Sequence, residues 1–166
     1  SRFGLDESEF VYFPAGTFEP RKNFERAIRA FKKVKPHNSQ LKLVISGVGD
    51  ISWLDKSIIN NDVVFVRWSR EEERDALYQS AIFAIYPSLY EGFGIPSLEA
   101  MSNGKALLTS NTSSLPEIAN GYTHMVNPED ENQIAEGIKL LIEDEKYRIG
   151  LEKKSIERAK FFSYEK

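Results

Sequence analysis

Short apolar runs rich in β-branched and aromatic residues alternate along the chain with stretches in which apolar residues recur at helical spacing. The first run, FVYFPA at 10–15, is typical of a buried strand. The residues that follow it at helical spacing are Phe24, Ala27, Ile28, Phe31 and Val34. Such alternation is typical of βα units stacked around a parallel sheet. It predicts an α/β fold with a doubly wound, Rossmann-like parallel sheet of about six strands flanked by helices.

The later apolar runs supply the rest of this sheet. The predicted strands are LKLVISG (41–47), DVVFVRW (62–68), AIFAIYP (81–87), KALLTS (105–110) and a weaker THMVN (123–127). The predicted helices between and after them cover residues 70–80, 96–103, 131–144 and 146–162. Ser69 and Glu72 have the spacing of a capping box, which marks the start of the first of these helices. Because no repeat, low-complexity tract or domain boundary is visible, residues 1–166 are predicted to form one domain.

Composition narrows the possible functions of this domain. A chain of 166 residues with 41% hydrophobic content can bury a sizeable core. The net charge of −3 and the scattered Lys and Arg residues argue against nucleic-acid binding. The lack of cysteine agrees with a reducing compartment, so we expect a cytoplasmic protein. No apolar stretch is long enough to span a bilayer, so any membrane contact is expected to be peripheral or to lie outside this chain. The opening SRFGLDESEF lacks a start methionine and is typical of a linker, which indicates a fragment.

Two distinctive loops are predicted to lie at one crevice. Ligands of doubly wound sheets bind beyond the carboxyl ends of the strands, where the strand order reverses. In the commonest order this point lies between strands one and four, which are followed by GTFEPRKN (16–23) and SLYEGFGI (88–95). The two loops therefore form one candidate site.

The content of both loops favours a phosphate ligand. Pro96 in the first helical position would leave the preceding amides, including those of residues 92–94, free to bind an anion. Arg21 and Lys22 stand at a helix start, where the macrodipole disfavours cations by roughly 0.3–1 kcal/mol. A diphosphate would favour them there, because it can accept bonds from a guanidinium and an ammonium together.

The two carboxylates of this region then flank the diphosphate. Glu99, expected in the first turn of the helix, would repel phosphate and more plausibly accepts hydrogen bonds from a ribose diol. Glu91 precedes the glycines and could hold hydroxyls of a sugar beyond the diphosphate. Simpler interpretations exist for Glu99 and for the two cations. Glu99 could merely complement the helix dipole, and Arg21 and Lys22 could be a solvated surface pair.

The remaining aromatic, acidic and histidine residues that stand out in the sequence are expected to have structural roles. Trp68 and Tyr78 fit packing better than base stacking, and the acidic PEDEN segment (128–132) is most simply a helix start. His37 and His124 are isolated, without a second ligand at metal spacing. No metal site is expected.

The segment 87–119, PSLYEGFGIPSLEAMSNGKALLTSNTSSLPEIA, resembles the E-x7-E signature of the family 4 retaining glycosyltransferases of the GT-B fold. GTFEPRKN is similar to the phosphate-cation loop of that family, LVISGVGD to its second strand, and RAKFFSYEK (158–166) to the ending of its donor domain. The resemblance covers the whole chain and implies one half of a GT-B fold, the carboxyl-terminal, donor-binding domain.

The resemblance assigns roles to individual residues. It implies that Arg21, Lys22 and Glu91 act at the reacting end, the two cations on the diphosphate and Glu91 on the donor sugar, while Glu99 binds the ribose. The remaining residues that it implies are Gly16 in the phosphate-cation loop, Phe93, Gly94 and Ile95 as amide donors, and Val66, Arg67 and Leu77 around the base. Many members carry arginine directly after the glycine, where this chain has Thr17, so Arg21 is the candidate to replace that charge.

The activity implied is transfer of a sugar, with retention of configuration, from a nucleoside-diphosphate sugar to a glycan or lipid-linked acceptor held by a missing amino-terminal domain. The isolated domain would then be inactive. Family members work without a bound metal, and this chain has no Asp-x-Asp motif. GTFEPRKN is similar to mannosyl-type members, which favours GDP-mannose over UDP-sugars as the donor. The alternatives are a non-catalytic nucleotide-sugar-binding or regulatory module and, less in keeping with the two loops, a nucleotide-sugar epimerase.

Overall fold

The computed structural model describes residues 5, 8–36, 39–68 and 70–163. In this part of the chain one sheet contains β1 (Phe10–Thr17), β2 (Lys42–Val48), β3 (Val63–Val66), β4 (Phe83–Tyr86), β5 (Leu107–Ser110) and β6 (His124–Val126). The α-helices are α1 (Phe24–Val34), α2 (Glu71–Ser80), α3 (Ile95–Ser102), α4 (Leu115–Ala119), α5 (Glu131–Glu143) and α6 (Glu145–Ser163). Short 3₁₀ helices cover Pro20–Lys22 and Lys56–Ile58.

The strand order is β3-β2-β1-β4-β5-β6, and all neighbouring strands are parallel. The order reverses between β1 and β4, where Val11 lies opposite Phe83 and Tyr12 opposite Ala84. This confirms the predicted doubly wound, six-stranded α/β sheet and places its ligand-binding edge beyond β1 and β4.

Helices cover both faces of the sheet, as right-handed crossovers in both directions from β1 and β4 require. α1 packs against α5 on one face, and α3 packs against α4 and α6 on the other. Because both faces are covered, the strands are largely apolar, and residues 10–15 of β1 are all buried. The apolar residues that the sequence pattern assigned to one side of α1 are buried against the sheet, apart from the partly buried Val34.

Two details at the ligand-binding edge correct the predictions. α3 begins at Ile95 rather than Pro96, because Gly94 adopts a left-handed backbone, φ 79°, and serves as the N-cap. Glu99 is therefore the fifth residue of the helix and not part of its first turn. Arg21 and Lys22 precede α1 in a 3₁₀ turn, which ends at the left-handed Asn23, φ 71°, so they are not in the first turn of α1.

The remaining helices and strands follow most of the sequence predictions. β6 and the two tail helices are confirmed, with the break between the helices at Asp144. α2 begins at Glu71 after Arg70, while the proposed cap Ser69 and also His37 lie outside the described residues. α4 was not predicted, because its five residues are too few for a helical period to be visible. No helix in the described ranges combines the length and the apolarity that crossing a bilayer requires.

Candidate functional site

The loops after β1 and β4 meet as predicted, and backbone hydrogen bonds join them. The amide of Leu89 donates to the carbonyl of Arg21 at 2.8 Å. The side-chain amide of Asn23 donates to the carbonyl oxygens of Pro87, at 2.9 Å, and Pro128, at 2.8 Å. These bonds link the loops after β1, β4 and β6 into one rim at the edge of the sheet.

A buried carboxylate and two cations form the centre of this rim. Lys22 Nζ lies 3.2 Å from Glu91 Oε1 and 3.1 Å from Oε2, and Arg21 Nη1 donates to Oε2. The hydroxyl of Ser88 donates to the same oxygen at 2.9 Å, and Lys22 Nζ also donates to the Tyr86 hydroxyl at 2.8 Å. Lys22 and Glu91 are only 5% and 7% exposed, whereas the Arg21 side chain is 41% exposed. Arg21 is thus the cation that solvent can reach.

Hydrogen bonding keeps Glu91 ionised. Burial alone would raise the pKa of its carboxyl, but hydrogen bonds from Tyr86, Lys22 and Ser88 outweigh burial and hold that pKa below its ordinary value. Burial and the adjacent Glu91 carboxylate raise the pKa of Tyr86 far above its usual range, so the Tyr86 hydroxyl stays protonated and remains a donor. Arg21 Nε also donates to Glu19 Oε2 at 2.6 Å, so the cluster holds two carboxylates, Glu19 and Glu91, and two cations.

The loop after β5 fixes the backbone of Glu91. Its amide donates to Ser113 Oγ at 3.1 Å, and the Ser114 hydroxyl donates to its carbonyl at 2.9 Å. Ser113 has a left-handed backbone, φ 53°, which is uncommon outside glycine. The carboxylate is consequently held by contacts from three loops.

The start of α3 lies next to this cluster. Gly94 is required there, because its φ of 79° disfavours a side chain and a Cβ would lie 2.6 Å from Leu115 Cδ2. The first helical bond runs from the amide of Ser97 to the carbonyl of Gly94, so the amides of Phe93, Gly94 and Ile95 precede the helical bonding pattern. The side chains of Phe93 and Ile95 are exposed. This helix start can accept an anion.

Glu99 on α3 and Arg74 on α2 form a second charged group. Arg74 Nη1 lies 2.6 Å from Glu99 Oε2, and the Tyr78 hydroxyl lies 3.4 Å from Oε1. Burial raises the pKa of Glu99, and the charge of Arg74 opposes that rise. Glu99 was predicted as a free acceptor, but the structure gives it a cation of its own.

The other predicted site residues differ in access. Gly16, with φ 76°, and Thr17 end β1, and a Cβ at Gly16 would meet open space. Arg67 is exposed, with Nη2 3.5 Å from the carbonyl of Gly49. Val66 and Leu77 are 7% and 3% exposed, so their side chains belong to the core rather than to an open surface.

Sequence reasoning missed several residues that hold the site. Tyr86 and Ser88 flank Pro87 at the end of β4, a position from which side chains reach the edge, and that position was the available signal. Arg74 lies one helical turn before Tyr78 on α2, and nothing in the sequence links it to Glu99. Asn23 gave no signal beyond its place in the loop.

The remaining residues make structural contacts where the structure describes them. Tyr78 is buried with its ring 4.9 Å from that of Tyr12, and Trp68 packs against the core. Asp130 caps α5 by accepting from two backbone amides. His124 Nδ1 lies 2.8 Å from the Tyr147 hydroxyl. Within the described ranges, no three His, Cys, Asp or Glu residues are grouped as a metal site would require.

Residues 1–160 match the family described as "Glycosyl transferases group 1". The chain is 32% identical over 158 residues to O-antigen chain mannosyltransferase B of Escherichia coli. This match covers 90% of this chain but only 41% of that protein. The fold of this chain matches the C-terminal domain of a glycosyl transferase group 1 family protein, LpcC, from Francisella tularensis, with a TM-score of 0.82 and 20% identity. The match covers 96% of this chain and 90% of the LpcC chain. The fold also matches Anabaena HepE in complex with UDP and glucose, with a TM-score of 0.79, 19% identity and coverage of 92% and 44%.

Proposed function

Because this chain belongs to the group 1 glycosyl transferases, we propose that it is the donor-binding domain of a longer, two-domain hexosyltransferase. The substrate is a nucleoside-diphosphate sugar, and the acceptor is a glycan or a lipid-linked acceptor bound by an amino-terminal domain. The enzyme is proposed to be a family 4 GT-B member that retains the anomeric configuration of the sugar. It is proposed to act in the cytoplasm, with peripheral contact at the inner face of the membrane. The chain alone, which spans 41% of its mannosyltransferase relative, is proposed to be inactive.

The Arg21–Lys22–Glu91 cluster beside the start of α3 supports this proposal most directly. The diphosphate would lie across the amides of residues 93–95, with Arg21 and Lys22 on its other side. When the glycosidic bond breaks, negative charge grows on the leaving diphosphate. Lys22 is fixed by Tyr86 and Glu91, so it supplies a positive charge that needs no rearrangement at that moment.

Glu91 has two tasks in this proposal. Its carboxylate orients Lys22 and Arg21, and it lies where hydroxyls of the donor sugar would meet the rim. Arg21 replaces the charge absent at Thr17, since its exposed guanidinium reaches both Glu91 and the carbonyl of Tyr90 at 3.0 Å. Mannose is favoured as the sugar by the similarity to a mannosyltransferase, and GDP-mannose is the proposed donor.

The domain is expected to bind GDP or UDP without a divalent cation, because in this proposal Arg21 and Lys22 supply the positive charge for the diphosphate. A thermal-shift series with each nucleotide should raise the melting temperature, since a ligand selective for the folded state stabilises it by mass action. Adding EDTA should leave the shift unchanged. A shift that appears only with Mg²⁺ or Mn²⁺ would contradict this arrangement.

Glu99→Ala is expected to weaken binding of GDP far more than binding of 2′,3′-dideoxy-GDP, because only GDP offers a diol. A hydrogen bond to a charged group contributes about 1.5–3 kcal/mol, so the loss should be about ten- to a hundredfold in Kd, measured by calorimetry. Glu117→Ala, on the exposed side of α4, is the matched control. Equal losses for the two ligands would leave Glu99 a structural role only.

A further inference from the structure

Arg74 is held on several sides between α2 and α3. Its Nη1 atom lies 2.6 Å from Glu99 Oε2, while its Nε and Nη2 atoms lie 3.3 and 3.2 Å from Asp75 Oδ1. The guanidinium carbon lies 5.5 Å from the centre of the Trp68 ring, within the range of a cation–π contact. The Arg74 and Glu99 side chains are 20% and 23% exposed. The pair is thus largely shielded from solvent but not sealed.

The two oxygens of Glu99 have different partners. Oε2 takes the short contact with Arg74, whereas Oε1 has a 3.4 Å contact with the Tyr78 hydroxyl, which also lies 3.2 Å from the carbonyl of Pro96. A contact of 3.4 Å is at the weak end for an O–H donor. Among the described residues, Oε1 therefore has the weaker partner and the greater capacity to accept a further hydrogen bond.

The surroundings of Glu99 otherwise favour its neutral form. Burial raises the pKa of its carboxyl, and the carboxylates of Asp75 and Glu71 on α2 raise that pKa further. Tyr12 on β1 lies close enough to interact with Glu99, and it is protonated, because burial raises its pKa. Arg74 supplies the charge that opposes these effects, and Tyr78 adds a hydrogen bond.

We propose that Arg74 is a positioning residue for the nucleotide, which holds the Glu99 carboxylate ionised and oriented so that it can accept hydrogen bonds from the ribose 2′- and 3′-hydroxyls. This inference rests on the proposed function and deepens it. An ionised carboxylate only accepts hydrogen bonds, whereas a protonated one carries a donor in place of part of that capacity. Losing the guanidinium would therefore weaken diol binding in a pH-dependent way, which a simple clasp between α2 and α3 would not do.

The test compares GDP with 2′,3′-dideoxy-GDP at a series of pH values from neutral into the acid range, because a carboxyl with a raised pKa takes up its proton earlier than an ordinary one as the pH falls. Arg74→Met removes the charge but keeps an unbranched apolar side chain. In this variant the preference for GDP over the dideoxy ligand, taken as the ratio of the two Kd values, should fall by about ten- to a hundredfold as the pH falls through the range. Protonation of the terminal phosphate affects both ligands alike, so it cancels in this ratio. Wild-type protein should show a much smaller pH effect over the same range.

Three further variants make the result specific. Arg74→Lys keeps the charge and should restore most of the wild-type pH profile. Glu99→Gln cannot ionise, so it should bind GDP weakly at every pH, and it carries the test even if Arg74→Met does not fold. Arg70→Met is the matched control and should behave like wild type. The Arg70 side chain is 73% exposed and pairs with Glu73 rather than with Glu99.

A pH-independent loss in Arg74→Met that is equal for both ligands would overturn the role of Arg74 and leave it a structural contact. Preserved discrimination between the two ligands in Glu99→Gln would overturn it as well. Failure of the wild-type protein to bind either ligand is a different result, because it contradicts the proposed nucleotide site itself.

Discussion

Lys22→Ala is expected to lower the kcat of the full-length enzyme on the order of 10²–10³-fold, the size of effect seen when one preorganised electrostatic group is lost. The leaving diphosphate gains negative charge as the glycosidic bond breaks. A fixed cation therefore stabilises the transition state more than the bound donor. Lys22 Nζ is held between Tyr86 and Glu91, so it meets this condition. Initial-rate measurements of sugar transfer, with melting temperatures of each variant, check the effect.

The same experiment needs two controls, because Lys22 is buried and paired. Lys22→Met keeps most of the volume and should lose a similar factor in kcat. Lys33→Ala removes an exposed lysine that pairs with Glu131 rather than with Glu91, and it should leave kcat unchanged. A Lys22→Ala enzyme with normal kcat and only a raised KM would show that Lys22 contributes uniform binding, and its role at the leaving group would have to be abandoned.

Arg21 is the informative companion to Lys22. If it replaces the charge missing at Thr17, Arg21→Ala should lower kcat by a comparable factor. Arg21→Lys should then recover only part of the loss, since the two-pronged guanidinium geometry disappears. Unchanged kinetics in Arg21→Ala would return Arg21 to a surface role.

Glu91→Ala is expected to destabilise the domain by about 3–5 kcal/mol in urea unfolding, the range for removing one member of a buried ion pair. The variant leaves Lys22 buried without its carboxylate and removes the acceptor of Ser88. Glu131→Ala, which breaks the more exposed pair with Lys33, is the matched control and should cost about 0–1 kcal/mol. Adding Lys22→Met to Glu91→Ala should recover much of the loss, because no charge then remains buried at this point.

The effect of Glu91 on stability has a defined pH dependence. Its pKa is lowered in the folded protein relative to the ordinary value of 4.5, so its stabilising contribution is fully present above that value. The contribution is lost as the pH falls through the lowered pKa. The difference in unfolding free energy between wild type and Glu91→Ala should therefore be constant near neutrality and shrink in acid. A difference that grew in acid would contradict the ionised assignment.

The fold was predictable from sequence because its signals are local. Each buried strand is a short apolar run, and each long helix repeats apolar residues over several turns, as in α1 and α5. The strand order followed from the commonest doubly wound arrangement. The short α4 and the exact start of α3 did not follow, because the first has too few residues for a period and the second depends on the left-handed backbone of Gly94.

The candidate site was predictable only as far as strand ends and charge types allow. The positions of Arg21, Lys22 and Glu91 at one edge followed from topology. Their mutual pairing did not, because Arg21 and Glu91 are 70 residues apart and both had been assigned to ligand groups. Likewise, the pairing of Arg74 with Glu99 depends on how α2 and α3 pack. Side-chain partners across a fold are set by packing geometry, which a single sequence does not carry.

Asn23 meets two demands that few residue types can meet together. Its backbone is left-handed, which glycine, asparagine and aspartate tolerate, and its side chain donates to the carbonyls of both Pro87 and Pro128. Glycine has no side chain, and aspartate has no amide donors. Glutamine has the donors but lacks the short side chain that eases this backbone conformation. Most single substitutions at position 23 are therefore expected to be unfavourable, although Asn23 itself has no part in the proposed chemistry.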